Sequence, residues 1–152
     1  MHRTEVVQLG GLGTRYLSEG EAYALLEHTL ESGTMAAPPH RHAGEDELSY
    51  VLEGTLTVWE EGATRTFRSG EVVARPRARW HTYWNAGPDP VRILELISPP
   101  AFAAYFRELG AILAEPGPPD WAALGELAAR YRLEMDFALQ EALEAEHNIR
   151  LG

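Results

Sequence analysis

The sequence predicts an all-β barrel or sandwich that is followed by a helical extension. In about the first hundred residues, short runs of side chains are apolar or alternate between apolar and polar, which is the pattern of β-strands. Turn signals such as Glu53-Gly54 and Ser69-Gly70 separate these runs at intervals of roughly 8–12 residues, which is typical of small all-β domains. From Ser98 onward, apolar side chains recur at helical spacing instead.

The strand pattern is followed by three helix signals. Seven segments carry the strand pattern: residues 23–31, 47–52, 55–60, 64–67, 72–74, 81–85 and 91–97. We expect Ser98 to cap the first helix, because two prolines follow it. Asp120 is placed to cap a second helix, and a third, more acidic helix is expected over about residues 135–145.

The length of 152 residues fits a single domain. We assign residues 1–97 to the barrel, with its core at about 13–97, and residues 98–152 to helices that pack on it within the same domain. An extension of this size with short linkers rarely buries enough surface to fold alone.

Composition narrows the possible partners and chemistry. The formal net charge of −10 disfavours nucleic acid and anionic membranes as partners. The chain contains no cysteine, which excludes disulfides and thiolate ligands, and no lysine, which excludes Schiff-base chemistry. No apolar run is long enough for a membrane span, and the N-terminal residues contain no apolar signal core. We therefore expect a cytoplasmic protein with a small-molecule substrate or ligand.

Three histidines and a glutamate stand at spacings that predict a metal site. His40 and His42 are two residues apart, so on a strand both side chains point to the same face. Glu47 opens the next strand, and His81 comes from a distant hairpin. Each residue alone has a simpler explanation, as a surface or core side chain. Together they offer the imidazole and carboxylate ligands that suit one divalent ion of iron, manganese, nickel, cobalt or zinc.

The register of these residues resembles the two signature motifs of the cupin superfamily. The first motif is matched by His40, His42, Glu47 and, after six further residues, Gly54, with Gly33 one residue further upstream than usual. The second motif is matched by the set Gly70, Pro76, His81 and Asn85, while Ala78 stands where the family has a second glycine. That departure is expected to alter the loop before His81 without removing a ligand.

The resemblance implies a double-stranded β-helix, the cupin or jelly-roll barrel, and a homodimer. It also implies that His40, His42, Glu47 and His81 are the metal ligands. The flanking segments look like the small single-domain cupins described as quercetin-dioxygenase-like. In that branch the glutamate can also serve as a base, so Glu47 inherits a catalytic role beside its role as a ligand.

The residues around the motifs define the expected pocket. Alternation along the strands places Ser49 on the face of Glu47, and Tyr83 on the face of His81. Tyr83 is a candidate hydrogen-bond donor to a metal-bound ligand, or else a packed barrel aromatic. His28 is expected to be a core or surface residue, not a ligand.

Three arginines precede the last predicted ligand. The set Arg75, Arg77 and Arg79 alternates just before His81, near the expected mouth of the barrel. These side chains are expected to form a solvated or salt-bridged rim, with anion binding as the alternative.

The sequence leaves two classes of function open. The first is a metal-dependent enzyme, either a dioxygenase-type oxidoreductase acting on a small organic molecule or an isomerase that uses Glu47 for proton transfer. The second is a non-catalytic cupin that binds a small ligand as a sensor or storage module.

Overall fold

The computed structural model describes residues 5–152, and it confirms the predicted fold class. The first eleven strands lie in the barrel region: β1 Val6–Leu9, β2 Leu12–Glu19, β3 Ala24–Leu30, β4 Thr34–Met35, β5 His40–His42, β6 Asp46–Glu53, β7 Thr55–Glu60, β8 Ala63–Arg68, β9 Val72–Arg75, β10 His81–Trp84 and β11 Val91–Ser98. A 3-10 turn and then helices and two short strands follow: Pro100–Ala103, α1 Ala104–Ala114, α2 Trp121–Arg130, β12 Leu133–Met135, α3 Phe137–His147 and β13 Arg150–Leu151. Within the described residues, no helix is long and apolar enough to cross a membrane.

The strands form two sheets that face each other. One sheet has six strands in the order β1-β2-β3-β11-β6-β9. The other runs β12-β5-β10-β4-β13, and the β7–β8 hairpin joins it by pairing with β10. Neighbouring strands are antiparallel, except that β13 lies parallel to β4. This arrangement brings β5, β6 and β10, which carry the predicted ligands, to the same end of the barrel.

Alternation along the strands directs apolar side chains between the sheets. In β11 the inward positions Val91, Ile93 and Ile97 are buried, with Glu95 as a charged exception in the same row. The inner faces meet in a core that includes Leu30, and burial of such side chains is worth about 1.5–3 kcal/mol each.

The extension packs on the barrel through a second apolar cluster. Phe102 and Tyr105 lie against Leu26 and Ile97 of the barrel, together with Leu127 from α2. The strand β12 adds directly to the edge of β5, with Leu133 opposite His42 and Met135 opposite His40. The extension therefore forms part of the wall around the predicted ligands.

Several sequence predictions need correction. Ser98 does not cap a helix: it is the last residue of β11, its hydroxyl donates to the carbonyl of Ala22, and a 3-10 turn starts two residues later. The extension also contains the strands β12 and β13, which are too short for periodicity to reveal. By contrast, the Asp120 carboxylate caps α2 by accepting from the Ala123 backbone N–H, as predicted.

Candidate metal centre

Three strands bring the four predicted ligands together. β5 provides His40 and His42, β6 provides Glu47, and β10 provides His81, which lies opposite His40 in the strand register. All four side chains are buried, and one ligand atom from each lies within 4.8 Å of the others. The pairing of β5 with β10 brings the two motifs together. His40 and His81 are 41 positions apart in the sequence but lie opposite each other in the sheet.

Backbone carbonyls orient two of the imidazoles. Nδ1 of His40 donates to the Pro38 carbonyl at 2.7 Å, and Nδ1 of His81 donates to the Arg79 carbonyl at 3.2 Å. In the neutral imidazoles these contacts place the proton on Nδ1 and leave Nε2 as the nitrogen that can bind a cation. Such hydrogen bonds also make an imidazole a better ligand, because they raise its basicity.

Unpartnered polar atoms at the centre show that the residues fit a cation. Nε2 of His81 makes no hydrogen bond, and it lies 3.6 Å from Oε1 of Glu47. That same carboxylate oxygen faces Nε2 of His42, and neither atom has another partner. Burial without hydrogen bonds costs about 1–3 kcal/mol per polar group. Three imidazole nitrogens and one carboxylate oxygen around one point are a suitable donor set for a divalent transition metal.

Charge interactions at the cluster favour neutral His40 and ionised Glu47. Burial, reinforced by the positive charges of His81 and His42, holds the pKa of His40 well below its usual value. Burial opposes ionisation of Glu47, but the contact with His42 outweighs it and holds the pKa of Glu47 well below its ordinary range. Burial likewise disfavours the charged form of His42, but Glu47 and Glu45 raise its pKa to about 9. A cation entering the site therefore replaces the proton on His42.

A small, partly open cavity adjoins the ligands. Its volume is about 40 Å³, which is room for one or two water molecules. Tyr83 and Glu95 line it together with the ligands, and its apolar wall comes largely from the extension through Phe102, Tyr105, Phe106, Leu133 and Met135. The Phe102 ring stands edge-on to His42 at a centroid distance of 4.5 Å.

The other predicted pocket residues divide into two groups. Tyr83 and Ser49 are buried and face the interior, as alternation predicts. Asn85 is also buried, but its side chain donates to the carbonyls of Leu30 and Asp89 and so holds a turn. His28 lies in the core and contacts Thr14 and Glu95, as expected for a residue that is not a ligand.

The arginine triplet is split by the end of β9. Arg77 and Arg79 are exposed and paired with Asp46 and Glu60, which confirms the expected rim. Arg75 is fully buried and forms an ion pair with Glu95, so its predicted place at the mouth was wrong. The strand ends at Arg75, so the alternation that the sequence shows through Arg79 does not continue in the backbone.

Sequence reasoning also missed Glu95, although a signal was present. The β11 sequence VRILELIS places this glutamate at the same parity as Val91, Ile93 and Ile97. A charged residue in a core-facing row is rarely buried without a partner. That position alone could have predicted a buried ion pair.

The loop of the second motif keeps the conformation of the glycine that it lacks. Ala78 has φ of 65°, a left-handed conformation that favours glycine. Its backbone N–H donates to the His42 carbonyl at 2.7 Å. The loop before His81 therefore carries local strain at Ala78.

Comparison with known proteins supports the cupin superfamily. Residues 26–97 match the family model described as "Cupin domain". A stretch of 90 residues is 36% identical to germin-like protein subfamily 2 member 2 of Arabidopsis thaliana, covering 55% of this chain and 40% of that protein. The chain thus spans less than half the length of this relative.

Solved structures show the same fold at lower identity. KdgF from Halomonas sp. aligns with a TM-score of 0.57 and 23% identity, over 64% of this chain and 86% of that one. An RmlC-like cupin from Shewanella frigidimarina NCIMB 400 aligns with a TM-score of 0.58 and 22% identity, over 64% of this chain and 85% of that one. These similarities establish the cupin fold of the barrel.

Proposed function

We propose that this protein is a metal-dependent cupin enzyme of the dioxygenase type that acts on a small organic molecule. The observation that carries the proposal is the small cavity beside the four buried ligands. Three imidazoles and one carboxylate leave one or two positions free on a six-coordinate ion, and the cavity is where a ligand would reach them. When bound, such an ion supplies Lewis-acid and redox chemistry.

The chain's own residues would bind and orient the substrate. Burial, followed by the negative charge of Glu95, raises the pKa of the Tyr83 phenol well above its ordinary value. Tyr83 therefore keeps its proton at neutral pH and can donate a hydrogen bond to a substrate oxygen. The lowered pKa of Glu47 favours its role as a ligand over that of a base. The apolar wall of the extension would exclude water from the reacting groups.

Cavity size indicates which substrates should be tested first. Pockets for drug-sized ligands have volumes of about 300–1,000 Å³, far above the 40 Å³ found here. A flavonol would fit only if Phe102 and its neighbours moved, whereas a small diketone needs less rearrangement. Small oxygenated substrates are therefore the first to test.

A second candidate, a metal-dependent isomerase, is favoured by the two carboxyl groups that line the cavity. Burial and the neighbouring Glu47 raise the pKa of Glu95, while the pKa of Glu47 is lowered. Two carboxyl groups with pKa values moved apart are a common arrangement of an acid and a base. To move a substrate proton without oxidation, Glu95 would first have to leave its bonds to His28 and Arg75.

The test begins with protein purified without chelators or nickel affinity resin. Metal content is measured after reconstitution with iron, manganese or nickel, for the wild type and for His42→Ala. The proposal predicts about one ion per wild-type chain and a large deficit in the variant. Equal, negligible metal in both would refute the metal site.

Activity then separates the candidate functions. Metal-loaded protein is assayed for oxygen consumption with diketones, catechols and flavonols, and for deuterium uptake from heavy water by small hydroxycarbonyl compounds. Oxygen consumption supports the dioxygenase, and deuterium uptake without oxygen consumption supports the isomerase. Silence in both assays, with metal bound, favours the ligand-binding cupin.

The homodimer and the cytoplasmic location remain predictions. The outer face of β6 and β9 exposes Leu48, Tyr50 and Val72, which are 39%, 41% and 49% accessible. Light scattering coupled to size-exclusion chromatography distinguishes a 16.9 kDa monomer from its dimer. Replacing Tyr50 and Val72 by serine is expected to weaken a dimer formed through this face.

A further inference from the structure

A row of buried polar side chains crosses the inner face of the six-stranded sheet and ends at Glu47. Five neighbouring strands contribute one or more members each: β9 gives Arg75, β6 gives Ser49 and Glu47, β11 gives Glu95, β3 gives His28 and β2 gives Thr14. The strand register places Glu47 opposite Arg75, and Ser49 opposite Glu95. The row is therefore built into the pairing of the sheet.

Hydrogen bonds connect the row from Thr14 to Ser49. The Thr14 hydroxyl contacts Nδ1 of His28 at 2.9 Å, and Nε2 of His28 contacts Oε2 of Glu95. The other oxygen of Glu95 accepts from Nη2 of Arg75, which also donates to the Ser49 hydroxyl at 2.7 Å. Both oxygens of Glu95 are thus engaged, so its carboxylate cannot rotate without breaking one of these bonds.

Arg75 is held in place by this row and reaches the metal cluster from behind. Its Nη2 lies 3.5 Å from Oε2 of Glu47, and its guanidinium lies over the Tyr83 ring at 4.7 Å. An arginine buried this deeply is costly unless its charge is matched. Glu95 matches that charge, so the Arg75–Glu95 pair adds little net positive charge beside a bound cation.

The two oxygens of Glu47 face different partners. Oε1 lies next to Nε2 of His42 and 3.6 Å from Nε2 of His81, at the centre of the cluster. Oε2 lies 3.5 Å from Nη2 of Arg75. Oε1 is therefore the carboxylate oxygen that lies beside the histidine nitrogens, and Oε2 is the one that lies beside Arg75.

We propose that Arg75 is a positioning residue that makes Glu47 a one-oxygen ligand and so keeps a coordination position free for substrate. The Arg75–Glu95–His28 row is the support that fixes the guanidinium in that place. This inference rests on the proposed metal site and extends it, because it assigns a role to residues that do not touch the metal.

Cobalt(II) binding tests the inference by two readouts other than activity. Affinity is measured by chelator competition, and coordination by the visible absorption of the bound ion, whose bands weaken as coordination number rises toward six. The variants are Arg75→Met and, as a matched control, Arg77→Met, which removes an exposed arginine paired with Asp46.

In Arg75→Met, the freed Glu47 oxygen is expected to bind the ion as well. The visible bands should then weaken, and cobalt affinity should change by about 10–100-fold, as for other residues that support metal ligands. Arg77→Met should match the wild type in both readouts. A spectrum and affinity of Arg75→Met equal to those of the wild type would overturn the inference while leaving the metal site intact.

Two further outcomes are also decisive. If the wild type binds no cobalt, the proposed metal site fails and the inference fails with it. If Arg75→Met does not fold, as judged by circular dichroism, Arg75→Lys decides. It keeps the buried charge but lacks the planar guanidinium whose Nη2 contacts both Glu95 and Glu47, so an altered spectrum supports the inference and an unaltered one overturns it.

Discussion

Two polar clusters lie side by side inside the barrel, and they differ in how their groups are matched. In the metal cluster, Nε2 of His81 and Oε1 of Glu47 are buried without a hydrogen bond. In the neighbouring row, Glu95 is bonded through both oxygens and His28 through both nitrogens. The matched row is bonded within itself except at Nε and Nη1 of Arg75, whereas the metal cluster directs its unbonded ligand atoms toward one another. Burial alone therefore does not mark a functional site; several unbonded ligand atoms facing one another are the stronger signal.

The largest effect is expected from breaking the matched row. Glu95→Leu leaves the buried Arg75 without its counter-charge, and loss of one partner of a buried ion pair costs about 3–5 kcal/mol. Urea unfolding measures the free energy. Glu134→Leu, which removes an exposed carboxylate paired with Arg41, should cost less than about 1 kcal/mol.

A double variant sharpens this result. In Arg75→Met/Glu95→Leu both buried charges are absent, so the loss of stability should be smaller than in Glu95→Leu alone. A Glu95→Leu protein as stable as the wild type would show that the row does not support the fold.

Replacing one buried histidine of each cluster by alanine tests the comparison directly. His81→Ala removes a ligand with no buried side-chain partner, so the barrel should stay folded while metal affinity falls by more than about 100-fold, beyond the range for supporting residues. His28→Ala should do the reverse and destabilise the fold by about 3 kcal/mol, because Glu95 loses a buried partner. Metal titration and urea unfolding are measured on both. Global unfolding of His81→Ala would mean that His81, like His28, supports the fold.

The pH dependence of metal binding is the next largest effect. The pKa of His42 is raised to about 9, so below pH 9 a cation must displace one proton from this site. Apparent affinity should then increase about tenfold for each pH unit up to about 9 and level off above it. Competition titrations between pH 6 and 10 with a chelator of known pH dependence provide the measurement. A flat profile would mean that His42 is already neutral in the metal-free protein.

The same contrast explains what the sequence could predict. The ligands were accessible because His40 and His42 share a strand face and the glycine turns set the distance to Glu47. The matched row could not be predicted from the sequence, because Arg75, Glu95 and His28 come from strands whose order in the sheet is not their order in the chain. In the sequence, Arg75 and Arg77 belong to the same alternating pattern. Only the end of β9 at Arg75 distinguishes the buried residue from the exposed one.

The extension shows a second limit of prediction. Apolar periodicity located α1 and α2, whose side chains face the barrel. It could not show that β12 pairs with β5, because a three-residue strand carries no period. The wall of the cavity was therefore missed, although the ligands behind it were found.

The smallest effect is expected at Ala78. Its backbone is left-handed and strained, whereas no residue of the matched row has such a conformation. A left-handed conformation costs a residue with a Cβ about 1–2 kcal/mol, whereas glycine adds about 0.4–1 kcal/mol of unfolded-chain entropy. Ala78→Gly should therefore stabilise the metal-free protein by up to about 1 kcal/mol, measured by urea unfolding. Ala74→Gly makes the same change in the extended strand β9 and should destabilise by about 0.5–1 kcal/mol. If both variants lose stability equally, the loop before His81 is not strained. Opposite signs would show that this chain retains the glycine geometry of the motif at the expense of stability, because the Ala78 N–H bond to His42 holds the loop against the strand that carries two ligands.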